Sequence, residues 1–335
     1  MKVAVLMGGS SSERDVSLAS GVQVVKALLA RGHQVAAIDT YHGKLDDAQL
    51  AALLEAGVRP AAPSERELAI VRRKTGSLIQ PGLFADADVI FLALHGGTGE
   101  DGTLQAVLDA AGLTYTGSGH VGSAAAMDKD LAKRLFTSVG IRTPAWRMHP
   151  IDPRKAAAQL GLPLIVKANR QGSTVGLNLV HTEAELGPAV DAALAVDREV
   201  MFEQFIPGRE LTVGVLHGEA LAVGEIFPKG SGIFHYDEKY QPGGAKEVFP
   251  ADLPPPLYEA LQRDAVAAHH ALKLGDYSRA DFRLDPEGSA WCLEVNSLPG
   301  LTSASLLPKS AAAVGMGFPE LCERICQLAL QRRIN

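Results

Sequence analysis

Three short segments late in the chain concentrate oxygen ligands and a guanidinium: Arg279-Ala280-Asp281, Glu294-Val295-Asn296 and Pro299-Gly300. Side chains two apart in an extended strand share a face. Two neighbouring strands would therefore gather Arg279, Asp281, Glu294 and Asn296 on one surface. Two carboxylates and an amide oxygen suit a hard cation such as Mg²⁺, which usually completes its shell with substrate phosphates. The adjacent arginine can stabilise charge that develops in a transition state. The alternative is a solvated strand pair with incidental charges. It is weakened by the apolar residues around them, as in Trp291-Cys292-Leu293, because charges on such strands are costly without partners.

Phosphate-binding parts lie upstream. Lys167 precedes a glycine loop, Gly172-Ser173-Thr174-Val175-Gly176; this order is not a Walker loop, yet it offers an ammonium and a flexible backbone whose N–H groups can wrap an anion. Lys129, on an expected helix over Met127–Phe136, is a second candidate ammonium or simply a surface lysine. Glu203 and Glu210 bracket a turn at Ile206-Pro207-Gly208, where either can accept from ribose hydroxyls or stay solvated. Asp237-Glu238-Lys239-Tyr240 reads as a solvated charge run or as part of a lid that brings Lys239 to phosphate and excludes water.

Two further loops follow buried strands near the N-terminus. Gly8-Gly9-Ser10-Ser11-Ser12-Glu13 lacks the G-x-G-x-x-G spacing of a dinucleotide fingerprint. Glu13 is suited to capping the next helix or to binding a cationic amine at the carboxyl edge of a sheet. His95, in Leu94-His95-Gly96-Gly97, ends a strand at that same edge and is expected to contact ligand.

The elements that must position these residues alternate at first. Strands are expected over 2–7, 34–39 and 89–94, and helices over 16–30, 45–56 and 103–111, which predicts a parallel sheet covered by helices. The stretch from Arg59 to Leu83, broken by prolines, holds one hairpin or a short helix. A helix over 123–139, a strand over 162–167, a helix over 183–195 and a strand over 199–204 give an α+β middle section. Strands dominate beyond Glu210, interrupted by a polar loop at about 229–246 and a helix over 256–272, and a last helix covers about 319–332.

The chain has 335 residues, 47 % of them hydrophobic, and a formal net charge of −6, enough for two or three domains with substantial cores. No basic block favours nucleic acid or an anionic membrane as a partner, and no apolar run reaches the length of a membrane span. The start is too early in glycine for a secretory signal, so a cytoplasmic protein is expected. Cys292, Cys322 and Cys326 match no zinc spacing and are expected as buried free thiols.

Taken together, these motifs resemble the D-alanine–D-alanine ligases of the ATP-grasp superfamily. The resemblance rests on Gly-Gly-Ser-Ser-Ser-Glu13-Arg-Asp-Val-Ser17, Leu94-His95-Gly, Gly99-Glu-Asp-Gly-Thr103, Tyr115-Thr-Gly-Ser-Gly119, Met127-Asp-Lys129 and Gly172-Ser-Thr-Val-Gly176. It continues through Glu238-Lys239-Tyr240, Arg279-Ala-Asp281, Glu294-Val-Asn296 and Pro299-Gly-Leu-Thr-Ser-Ala-Ser305-Leu306. The motifs run in family order from residue 1 to about 325, apart from the Arg59–Leu83 insert. The resemblance implies an α/β and α+β ATP-grasp fold of three lobes. These are a Rossmann-like parallel sheet (1–117), a central α+β lobe (118–203), and a C-terminal mixed-sheet lobe with the metal site and the lid loop (204–335). By position it implies Lys129, Lys167, Glu203, Glu210 and Lys239 on ATP, and Asp281, Glu294 and Asn296 on two Mg²⁺ or Mn²⁺ ions. It implies Glu13 on the amine of the first D-alanine, with Ser173 and Tyr240 linked to Glu13 and His95 near the carboxylate. Arg279 and the N–H of Gly300 would serve the oxyanion, and Ser305 and Leu306 the second D-alanine.

The activity so implied is ATP-dependent formation of D-alanyl-D-alanine for peptidoglycan precursors, in a homodimer. Another carboxylate–amine ligase, or one that takes D-lactate, is the alternative, although Tyr240 favours the dipeptide. A nucleotide sensor without turnover would need one of the metal or phosphate ligands to be missing, and none is. Two departures from the family pattern stand out: Ala168-Asn169 where proline-serine is frequent, and Gln204 where lysine is frequent.

Overall fold

The first strand, β1 (Lys2–Met7), is apolar after its first residue and buried there, as expected of a strand covered on both faces. The structure is a computed structural model and describes residues 1–59, 63–75, 81–228 and 244–334. Chain order continues with α1 (Arg14–Ala30), β2 (Gln34–Asp39), β3 (Gly43–Lys44), α2 (Asp47–Ala56), α3 (Glu65–Thr75), β4 (Val89–Leu92) and α4 (Thr103–Ala110). β1 pairs in parallel with both β2 and β4, giving the order β3-β2-β1-β4 with a short antiparallel edge at β3. In the proline-broken stretch the described residues form α3 and a single 3-10 turn at Pro81–Phe84.

The expected helix over 123–139 is two helices, α5 (His120–Met127) and α6 (Lys129–Ser138). The break is at Asp128, which leaves helical geometry and accepts from the Leu131 N–H as the N-cap of α6. A capping carboxylate offers the backbone this alternative to a continuous helix. β5 (Trp146–Met148), α7 (Pro153–Leu160), β6 (Leu164–Ala168), β7 (Asn178–Val180), α8 (Leu186–Leu194) and β8 (Val200–Gln204) follow. Their sheet is antiparallel, in the order β5-β8-β6-β7.

The third sheet, β11-β10-β9-β12-β13, contains β9 (Arg209–Leu216), β10 (Glu219–Phe227), β11 (Lys246–Val248), β12 (Tyr277–Leu284) and β13 (Ala290–Asn296). A mixed sheet is expected here, but every described pairing is antiparallel. The reason is local: β9–β10 and β12–β13 are hairpins. His217-Gly218 closes the first with φ of 54° and 75°, the paired left-handed geometry that two-residue hairpin loops require. α9 (Pro255–Ala271) covers this sheet, followed in the chain by α10 (Leu306–Ala313) and α11 (Phe318–Ile334). α11 crosses back to pack on α1 and β4, so Leu321, Ile325 and Leu328 join the core of the N-terminal sheet. Cys292, Cys322 and Cys326 are buried free thiols. Among the described residues no helix is long and apolar enough to cross a membrane.

Candidate active site

The three sheets border one cleft. On one wall β12 and β13 pair in a register that sets Arg279 opposite Asn296 and Asp281 opposite Glu294. Period-two alternation then puts all four side chains on the face lining the cleft. Asp281 is the hub of this group. Its Oδ1 accepts from Thr212 Oγ1 at 2.7 Å and Arg279 Nε at 2.9 Å, and its Oδ2 from Arg279 Nη2 at 2.7 Å and Asn296 Nδ2 at 2.9 Å. By giving its N–H to Asp281, the Asn296 amide turns its oxygen the other way. Glu294 Oε2 lies 3.1 Å from Lys129 Nζ. Two carboxylates and an amide oxygen on one face, with cations from two elements beside them, fit a divalent ion that shares its shell with phosphate.

Lys129 is brought here by the break at Asp128, since it opens α6, and its Nζ also donates to the Gln171 carbonyl at 2.8 Å. Asn169, one of the departures from the family pattern, is fully buried. It joins the end of β6 to this helix start through Asp128 at 2.9 Å and the Asp130 N–H at 3.0 Å. Deeper in the cleft Lys167 donates to Glu203 Oε2 at 2.8 Å, and Lys133 Nζ sits 2.7 Å from Glu203 Oε1. Burial opposes ionisation of Glu203, but the two ammonium groups outweigh it and hold the carboxyl below its usual range. Glu210 Oε2 accepts from Arg283 at 3.3 Å, and Arg283 Nε donates to the Ile206 carbonyl at 3.1 Å.

At the other end Glu13 is the N-cap of α1 but makes no side-chain cap bond. Its Oε1 instead accepts from Ser173 Oγ at 2.5 Å, across 160 residues. Ser173 and Thr174 reach this position with φ of 49° and 62°, a region that non-glycine residues rarely occupy outside functional loops. Gly96 and Gly172 leave room for the same carboxylate: a Cβ on either would come within 2.8 Å of Glu13 Oε2.

His95 is buried, with Nδ1 2.8 Å from the Leu298 carbonyl and Nε2 2.9 Å from Ser20 Oγ. The carbonyl can only accept, so Nδ1 carries the proton and Nε2 accepts from the hydroxyl. Burial also pushes the ring toward its neutral form. Glu100 takes the other side of the same residue, accepting from the Leu298 N–H at 3.0 Å and the Gly96 N–H at 2.8 Å. Burial, followed by the charge of Glu13, pushes its carboxyl up to about 7. Gly300 follows two residues later, where a Cβ would lie 3.0 Å from Ser305 Oγ. Ser305 pairs with Thr302 Oγ1 at 2.8 Å and precedes Leu306, the first residue of α10.

The cleft thus gathers Glu13, His95, Lys129, Lys167, Ser173, Glu203, Glu210, Arg279, Asp281, Glu294, Asn296, Gly300, Ser305 and Leu306. Lys239 and Tyr240 lie outside the described residues. Sequence reasoning missed Glu100, Arg283 and Lys133. For Lys133 a signal existed, since it stands four residues after Lys129 and so shares its helix face. One existed for Arg283 too, two residues after Asp281 and so on the same strand face; Glu100 gave none, because Leu298, which it holds, is distant in sequence.

Comparison with known proteins decides the family. The profile of the D-ala D-ala ligase N-terminus matches residues 2–118, and that of the D-ala D-ala ligase C-terminus matches residues 130–327. The chain belongs to the D-alanine–D-alanine ligase family. Relatives named D-alanine–D-alanine ligase include one from Geotalea uraniireducens, 41 % identical over 98 % of this chain and 95 % of its own. One from Syntrophotalea carbinolica is 42 % identical over 99 % and 97 %. Among solved structures, the D-alanine–D-alanine ligase of Coxiella burnetii superposes with a TM-score of 0.80 at 29 % identity, covering 100 % of this chain and 95 % of that one. The Bacillus anthracis ligase, solved in complex with ATP, gives 0.75 at 29 % identity over 100 % and 98 %. The fold is therefore the three-lobed ATP-grasp arrangement of these ligases.

Proposed function

We propose that this chain joins two molecules of D-alanine into D-alanyl-D-alanine, driven by ATP and passing through an acylphosphate, as a step toward peptidoglycan precursors. The observation that carries the reading is the register of β12 on β13, which aligns Arg279, Asp281, Glu294 and Asn296 along one wall of the cleft that Glu13 and Gly300 also border. Asp281, Glu294 and Asn296 would hold two Mg²⁺ (or Mn²⁺) ions, which neutralise phosphate charge when a carboxylate approaches the nucleotide.

The chain's own groups then act in order. Lys129 and Lys167 bind phosphate oxygens, while Glu203 faces the base and Glu210 the ribose. Glu13, fixed by Ser173, takes the ammonium of the first D-alanine, and neutral His95 stands near its carboxylate without adding a charge. That carboxylate attacks the γ-phosphorus, and ADP departs. The amine of the second D-alanine, received at Ser305 and Leu306, attacks the carbonyl carbon of the acylphosphate. Arg279 and the Gly300 N–H donate to the resulting oxyanion, and phosphate leaves as the carbonyl re-forms, taking up the proton that the amine sheds. Lys239 on the transferred phosphate and Tyr240 beside Ser173 belong to the reading on sequence grounds. So do the units 1–117, 118–203 and 204–335, a homodimer and a cytoplasmic setting.

The test is to supply ATP, Mg²⁺ and D-alanine and to weigh the product. One dipeptide per ADP released is expected. Asp281→Asn should lower ADP release by at least about 10²-fold, the scale of losing one transition-state contact, while the variant still folds. Nucleotide turnover that ignores D-alanine, or full activity in that variant, would overturn the assignment.

A further inference from the structure

Lys133 takes no part in the chemistry above, yet its side chain is 0 % exposed and ends against Glu203, which lines the nucleotide cleft. It leaves α6 on the face that carries Lys129, Ala132 and Phe136, all buried. Its Nζ lies 2.7 Å from Glu203 Oε1, donates to Thr143 Oγ1 at 2.7 Å, and sits 5.3 Å from the centre of the Trp146 ring. Burying an ammonium is costly, and an apolar side chain of the same length would fill this space without that cost. A purely structural reading therefore leaves the charge unexplained. The explanation has to run through Glu203, the partner that does border the cleft.

Glu203 is ion-paired from two sides, Oε1 with Lys133 and Oε2 with Lys167, which also donates a hydrogen bond to it. It stands opposite Ile165 in the β6–β8 register. With Phe205, Ile206 and Leu293, Ile165 supplies an apolar lining to this cleft, which suits the flat face of a base. Lys167 is also the group expected to move toward phosphate. Were it the only cation on Glu203, the carboxylate would turn to chelate it with both oxygens. A second, immobile ammonium prevents that rotation.

We propose that Lys133 is a positioning residue for base recognition. By anchoring Oε1 of Glu203 it commits Oε2 to the edge of the bound purine, so that the site takes a 6-amino purine, which can donate there, over a 6-oxo purine, which cannot. This rests on the ATP-dependent reading above. A carboxylate oxygen has lone pairs for both Lys167 and an exocyclic amine, but no hydrogen to offer a carbonyl.

The experiment compares Lys133→Met with the unaltered enzyme, using ATP and inosine triphosphate. KM for ATP is expected to rise about tenfold, the scale of a charge-assisted hydrogen bond lost. kcat and KM for D-alanine should stay within about twofold. Preference for ATP over inosine triphosphate should shrink by a similar factor. In a Glu203→Gln background the same substitution should change KM for ATP by less than about twofold, because the residue acts through Glu203. Lys133→Gln, which keeps a donor but no charge, should fall between the two and replaces Lys133→Met if the latter does not fold.

An unchanged KM and nucleotide preference, an equal penalty in both backgrounds, or failure of both single variants to fold would each mark Lys133 as packing only and overturn the proposal. Titrating ATP and inosine triphosphate into the proteins by calorimetry separates this from the broader assignment. If the unaltered chain forms no dipeptide, the ligase reading fails, while the binding comparison still decides the role of Lys133.

Discussion

Glu100 shows at a single residue how the cleft sets protonation. Three donors surround its carboxylate: the N–H groups of Gly96 and Leu298, and Ser297 Oγ at 3.4 Å. They favour the charged form, but burial and the nearby Glu13 win, and the group titrates at about 7 in place of 4.5. The folded chain therefore keeps a proton that the unfolded chain releases in this interval. Stability contributed by that proton is present below pH 4.5, declines as pH rises to about 7, and is gone above it. In urea titrations against Glu100→Gln, the enzyme is expected to lose about 3 kcal/mol relative to the variant across that window. A difference that does not vary with pH would remove the titration from Glu100. The sequence displays Glu100 within Gly99-Glu-Asp-Gly, but the partner that gives it a role lies 198 residues on, and no local spacing encodes such a contact.

At the scale of elements, the interruption at Asp128 is what aims Lys129 into the cleft. Its carboxylate accepts from the Leu131 N–H at 3.1 Å, from Asn169 Nδ2 at 2.9 Å and from Arg170 Nη2 at 3.0 Å. Asp128→Ala removes a cap and leaves Asn169 short of a partner, so a loss of about 2 kcal/mol is expected in thermal or urea unfolding. A several-fold rise in KM for ATP should accompany it as Lys129 loosens. Stability lost with KM unmoved would detach the break from nucleotide binding. The alternation of β1, α1, β2, α2 and β4 was legible because long apolar runs dominate it. The shared face of Arg279, Asp281, Glu294 and Asn296 was legible because strand periodicity is strictly two. β3, β5 and β11 were not, being two or three residues long, and α7 and α10, of eight residues each, also went unseen. The split of α5 from α6 escaped because a capping carboxylate inside an apolar helical pattern also fits an exposed helix position.

At the scale of the whole molecule, the last helix ties the two ends of the chain together. Arg332, on α11, donates to the carbonyls of Gly117 and Tyr115 and pairs with Asp276 at 3.1 Å. The side chain of Asp276 is only 4 % exposed. Arg332→Met would leave that carboxylate and two carbonyls short of a donor, and a cost of about 3 kcal/mol is expected in urea unfolding. Arg31 and Glu323 also bridge α1 and α11, at 2.5 Å, but Arg31 is 45 % exposed. Glu323→Gln should therefore cost less than about 1 kcal/mol. Equal losses in the two variants would contradict this ranking.

The room around Glu13 has a longer-term implication. Gly96 comes from the first sheet's loop and Gly172 from the second's, yet a single added methyl at either would press on the same oxygen. A change at either loop alone would crowd Glu13, so the space around this carboxylate is constrained from two sheets at once and is harder to alter in descent than a contour set by one loop.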